Sequence, residues 1–122
     1  MKTLAICLSL LSYGSTAGAD QRYLYRYSAS GRTTAVAIKK LGSLIVSDSC
    51  DRNRSACLSR VDQWFGKAVI RPHYTGNPAA QYCADNGGIN LSLKDRQGNE
   101  YGFCDLGDDF LLDAWSLLRL RQ

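Results

Sequence analysis

The sequence predicts a small α+β domain held by two disulfides, and three observations point that way. Alternating runs lie near both ends, a helical repeat lies between them, and an exported chain retains an even number of cysteines. The expected architecture is an N-terminal antiparallel sheet, a central helix, a C-terminal hairpin and a terminal helix, all in one disulfide-stabilised domain. The chain has 122 residues, 45% hydrophobic and 21% charged. That is one domain's worth, so a multidomain enzyme or a long repeat array is excluded, and nothing in the composition signals disorder.

The first 19 residues read as a secretion signal. Lys2 supplies a positive charge, residues 4–11 are an apolar run, and Ala17-Gly18-Ala19 is an A-x-A cleavage site. The run is about half the roughly 20 residues that span a bilayer, so no stable membrane anchor is expected. Cys7 comes before any complete hydrophobic region, which argues against a lipoprotein signal. Cleavage after Ala19 leaves residues 20–122 as a single mature domain in the periplasm. It also removes Lys2 and Cys7, which takes the net charge from +4 to +3 and the cysteines from five to four.

Each element has its own signal. In residues 22–28, Tyr23, Tyr25 and Tyr27 alternate with Arg22, Leu24 and Arg26, a strand pattern. Ser30-Gly31 turns the chain into a second strand over 33–38, and 41–46 either continues it or forms a third. Residues 54–67 are helical by period, with Cys57, Val61, Trp64 and Ala68 on one face and Phe65 beside them. Pro72 and Gly76 mark 71–76 as a connector. Asn77-Pro78 then opens a short helix as N-cap and first helical residue, and Gly87-Gly88 ends it. Residues 89–93 alternate, 95–99 (DRQGN) carry turn chemistry, and 100–104 return as the partner strand. Finally Asp108 and Asp109 stand at the start of a helix over 110–120, with a stripe of Leu111, Ala114, Trp115 and Leu118.

The four mature cysteines, Cys50, Cys57, Cys83 and Cys104, form a disulfide framework with three allowed pairings. Short-range closure favours Cys50–Cys57 with Cys83–Cys104. Their spacings include no zinc-type C-x2-C or C-x4-C pair, so no metal or cofactor is expected.

Chemistry-bearing residues are few. His73 is the only histidine and lies in the connector, with no G-x-S-x-G motif and no free thiol to accompany it. Glu100 is the only glutamate, and the cluster Asp105, Asp108, Asp109 and Asp113 lacks the spacing of a calcium loop. The chain is therefore read as a binding protein rather than an enzyme. Charge is split: residues 20–76 carry +6 and 77–122 carry −3. The arginines interleaved with Tyr23, Tyr25 and Tyr27 look like a nucleic-acid stacking platform, but export argues against that partner. A solvated strand face packed against tyrosines is the simpler reading.

The run 77-NPAAQYC-83, then Gly87-Gly88, then 101-YGFC-104, then Asp108-Asp109 and Trp115 resembles an exported bacterial domain of unknown function often labelled a haemolysin. The resemblance covers residues 77–122 and implies a Cys83–Cys104 link, while the label establishes no activity. The chain departs from that pattern after Cys104, where many members carry further cysteines. Taken whole, with a cleaved signal, about 100 mature residues, two disulfides and no catalytic set, the chain is similar to the periplasmic immunity proteins of type VI secretion. The likeness is to those paired with a lysozyme-like effector fused to a spike protein. It implies a protein that neutralises a peptidoglycan hydrolase, and it allows a homodimer. The partner-binding surface expected on this reading is the acidic end, Glu100, Asp105, Asp108 and Asp109, because enzymes that approach an anionic polymer tend to carry basic clefts. The alternative is an envelope accessory module that binds peptidoglycan or lipid headgroups through its basic half, with no toxin partner.

Overall fold

Leu24, Ile38, Leu93, Phe103 and Leu111 come from five different strands, yet all are buried against one another. The arrangement that brings them together is a closed antiparallel barrel in the order β1-β2-β3-β6-β5-β4. The computed structural model describes residues 22–66 and 76–120. Its strands are β1 (Arg22–Tyr27), β2 (Thr33–Leu41), β3 (Leu44–Ser47), β4 (Ile89–Lys94), β5 (Glu100–Asp105) and β6 (Leu111–Asp113). The helices among the described residues are α1 (Asp48–Arg52), α2 (Arg54–Phe65), α3 (Pro78–Asp85) and α4 (Ala114–Arg119). Residues 1–21, 67–75 and 121–122 lie outside the described residues, and with them the expected signal segment, Ala68, His73 and most of the expected connector.

The expected layout of an open N-terminal sheet and a separate C-terminal hairpin is overturned by two contacts distant in sequence. Val46 of β3 pairs with Leu112 of β6, and Tyr25 of β1 pairs with Lys94 of β4. These join the meander β1-β2-β3 to the hairpin β4-β5 and close the sheet. The physical reason is that several strands are apolar on both faces. Leu111 and Leu112 are adjacent, so their side chains point to opposite faces, and both are buried. Leu111 joins the barrel interior, whereas Leu112, Val46 and Cys104 join a second, larger core under the helices. Closure also removes the unpaired edges that an open sheet would present.

That second core contains Cys50, Cys57, Val61 and Phe65 from α1 and α2, Tyr82 and Cys83 from α3, and Leu117 and Leu118 from α4. The Tyr82 ring stacks at a tilt on Phe65, with centroids 5.3 Å apart. Each such side chain contributes about 1.5–3 kcal/mol by leaving water. The cysteines pair as short-range closure favours, Cys50 with Cys57 and Cys83 with Cys104. Two disulfides fit an exported chain. No helix among the described residues is long and apolar enough to cross a membrane.

Local chemistry explains most of the elements. Asn77 caps α3 by accepting the Ala80 N–H at 3.1 Å, with Pro78 at the first helical position. Gly87 then takes the left-handed conformation, φ 92°. Gly88 is glycine for another reason: a Cβ there would lie 2.2 Å from the Cys104 sulfur and 2.7 Å from that of Cys83. Residues 41–46 do not continue β2. The chain turns at Gly42-Ser43, and Leu41 pairs with Leu44 across the turn. Helix α1 was not expected from the sequence. Asp48 and Asp51 in its first turn receive Lys39 from β2 at 2.8 and 3.5 Å, and the hydrogen bond from Lys39 holds the Asp48 carboxyl below its usual range.

The expected terminal helix over 110–120 is corrected too. Residues 111–113 form β6, and only Ala114–Arg119 is helical. Asp113 caps it by accepting the Ser116 N–H at 2.9 Å, so Asp108 and Asp109 do not open a helix. The later start shifts the helical phase. Ser116, Leu117 and Leu118 are buried, while Trp115, expected in the apolar stripe, is 43% exposed.

Candidate functional site

The last residue of β5 and its connection to β6 carry three of the four carboxylates assigned to partner binding. Leu106 and Phe110 are buried at its two ends, and each is tied to the loop. The Leu106 N–H donates to the Phe110 carbonyl at 2.9 Å, and the Phe110 N–H donates to that of Gly107 at 2.9 Å. Between them Gly107, Asp108 and Asp109 all have positive φ, at 86°, 52° and 63°. Aspartate tolerates this region better than most residues, but two in succession still cost free energy that the surroundings must offset.

Contacts from three directions hold the loop. Asp105 accepts the Gly107 N–H at 2.8 Å. From α2, Arg60 pairs with Asp108 at 2.7 Å, donates to the Leu106 carbonyl at 3.0 Å, and lies over the Phe110 ring at 5.3 Å. From the end of β3 and the start of α1, the Ser47 and Ser49 hydroxyls both donate to the Asp109 carbonyl. Ser47 also accepts the Leu111 N–H at 3.1 Å. The Asp109 carboxylate has no side-chain partner among the described residues, and it is exposed.

Asp109 also borders a notch in the barrel wall. β2 begins at Thr33, but β3 pairs with it only from Ile38 onward. The uncovered part of β2 faces α1 and the acidic loop across a space of about 610 Å³, which Arg26 and Arg52 also line. Arg52 is paired to Asp48 at 2.7 Å. The site is therefore an exposed, clamped loop of carboxylates beside a recess of mixed polarity.

Glu100 stands apart from that loop. It lies at the opposite end of β5 from Asp105, a run of about 17 Å along the strand. There it is exposed and 3.6 Å from Lys94. The four carboxylates of the expected acidic end thus divide between the two ends of the barrel. Sequence reasoning missed Arg60, Ser47 and Ser49. They act across 46 to 64 residues of chain, and no local pattern marks an arginine on a helix as the clamp of a distant loop. Among the described residues no group of three or more His, Cys, Asp or Glu could hold a metal ion.

The arginine–tyrosine pattern of β1 resolves into two faces. Leu24 points into the barrel, and the tyrosine face is the outer one, with Tyr23 and Tyr27 about half exposed. Lys94 lies over the Tyr27 ring at 5.6 Å.

No curated protein and no solved structure matches the chain. Residues 75–121 match a family model described as Domain of unknown function (DUF333). The match covers α3, β4 to β6 and α4, which is the part whose N-P-A-A-Q-Y-C, Gly-Gly and Y-G-F-C motifs carried the resemblance in the sequence.

Proposed function

We propose that this is a periplasmic immunity protein that binds and inhibits a peptidoglycan-degrading type VI secretion effector, protecting the producing cell. The observation that supports this reading is the clamped loop Gly107–Asp109. It projects charge from a strained backbone that Arg60, Ser47, Ser49 and Asp105 hold in one conformation. A loop already ordered in the free protein loses little entropy on docking, so more of its contact energy appears as affinity. Its carboxylates would meet a basic cleft that serves an anionic polymer, and complementary charge speeds such an encounter. Asp109 is the primary contact on this reading, Asp105 and Asp108 position it, and Glu100 belongs to another surface.

The test uses the exported chain and a wall hydrolase encoded beside it. The hydrolase should be captured by the wild-type protein, and its lysis of purified sacculi should stop. Asp109→Asn keeps a residue suited to positive φ and removes only the charge, so it should slow association and reduce its salt dependence. Failure to capture the hydrolase, with sedimentation on sacculi alone, would instead support the envelope-module reading.

A further inference from the structure

The seam between β1 and β4 consists of one residue pair, Tyr25 with Lys94. Beyond it β4 turns away at Asp95 while β1 runs back to Arg22, and the two strands diverge. The wedge between them is a pocket of about 330 Å³ lined by Arg22, Leu24, Tyr25, Asp95, Arg96 and Tyr101, among others. That volume is within the range of small-molecule sites, roughly 300–1,000 Å³. It lies at the end of the barrel away from the acidic loop.

The electrostatics of this wedge are unbalanced. Among the described residues Asp95 is the only carboxylate lining it, and its acceptor capacity is already used. It receives the Gln97 and Asn99 N–H groups at 2.9 Å each, the Asn99 side-chain amide at 3.0 Å and the Tyr101 hydroxyl at 3.0 Å. A carboxylate has about four lone-pair sites, so little remains to neutralise a neighbouring cation. Two cations are present. Arg22 lies over the Tyr101 ring at 5.4 Å, and the Arg96 Nε donates to the Tyr25 hydroxyl at 3.3 Å. Neither makes an ion pair among the described residues. The tyrosines hold both guanidinium groups in place, and among the described residues most of their N–H donors have no acceptor. Guanidinium is suited to carboxylate and phosphate oxygens because its planar fork makes paired, charge-assisted hydrogen bonds. The tyrosine rings supply apolar walls for the rest of a ligand.

We propose that this wedge binds a small organic molecule bearing an oxyanion, either a carboxylate or a phosphate ester, held between Arg22 and Arg96. The inhibitory role of the acidic loop is not needed for this assignment. The test is an NMR titration of the full exported chain that follows the arginine Nε–H signals. The probes are N-acetylalanine, N-acetylalaninamide and glycerol 3-phosphate. Saturable shifts at Arg22 and Arg96 with at least one anion, and none with the amide, are expected; the tighter anion identifies the group. Arg22→Gln and Arg96→Gln should each weaken binding by about tenfold, equivalent to about 1.4 kcal/mol. Arg52→Gln, in the notch elsewhere on the barrel, should leave it unchanged. Arg96 is exposed on a turn, so its variant folds and keeps the test decisive. The proposal is overturned if neither anion gives a saturable shift, if the amide binds as well as the acid, or if both variants bind like the wild type.

Discussion

Replacing Arg60 with methionine tests whether the acidic loop is ordered by its clamp. Methionine keeps an unbranched apolar stem on α2 and removes the guanidinium with its three contacts. The pair with Asp108 is 2.7 Å long, but Asp108 is 68% exposed, so it contributes only about 0.2–1 kcal/mol. The bond to the Leu106 carbonyl is 3.0 Å long and part-buried. Its loss leaves an acceptor without its charged donor, at a cost of about 1–3 kcal/mol. The contact with the Phe110 ring at 5.3 Å adds about 0.5–1 kcal/mol. Together Arg60→Met should lower stability by about 2–5 kcal/mol, whereas Asp108→Asn should lower it by less than about 1 kcal/mol. Urea denaturation gives the total, and amide exchange at Gly107, Phe110 and Leu111 locates it. Protection at those three amides should fall more than protection in α3. If Arg60→Met stays within about 0.5 kcal/mol of the wild type, the range of an ordinary surface substitution, or matches Asp108→Asn, the clamp does not hold the loop.

Three further outcomes are expected from the packing and hydrogen bonds of the barrel. Leu112→Ala should cost about 2–5 kcal/mol in denaturant because Leu112 is fully buried under the helices, while Trp115→Ala, at a residue 43% exposed, should cost less; a helix over 110–120 with Trp115 in its apolar stripe gives the reverse order. Gly88→Ala places a methyl group against both sulfurs of the Cys83–Cys104 bridge and should cost about 1–3 kcal/mol or leave free thiols, read by thiol titration of the denatured protein. The Asn99 side-chain amide and the other donors around Asp95 hold its carboxyl below the ordinary carboxylate value; the stabilisation is therefore present above that ordinary value and lost as pH falls through the lower folded one, so NMR titration of the Asp95 carboxyl should show a midpoint below 3.8, and a midpoint at or above it contradicts the network.

What the sequence determined by itself was local. Alternation marked β1 and β4, because side chains on a strand change face at every residue whatever lies beyond it, and the turn chemistry of residues 95–99 marked β5 as the returning partner. Asn77-Pro78 marked the start of α3, because capping needs only a side-chain oxygen and an N–H three residues later. The pairing of Cys83 with Cys104 followed from short-range closure and from the resemblance over residues 77–122. Only the tertiary structure decided how these pieces join. Residues 111–113 (LLD) are apolar enough for either a helix or a strand. They become β6 because Val46 and the Phe103–Asp105 segment offer partners on both sides, and because a strand can send Leu111 into the barrel and Leu112 under the helices. The acidic residues 105–109 were visible as a cluster, but their backbone conformation depends on Arg60, Ser47 and Ser49, which the chain brings in from far away. Glu100 looked like part of that cluster because it is near in sequence. A β-strand of six residues was enough to carry it to the other end of the barrel.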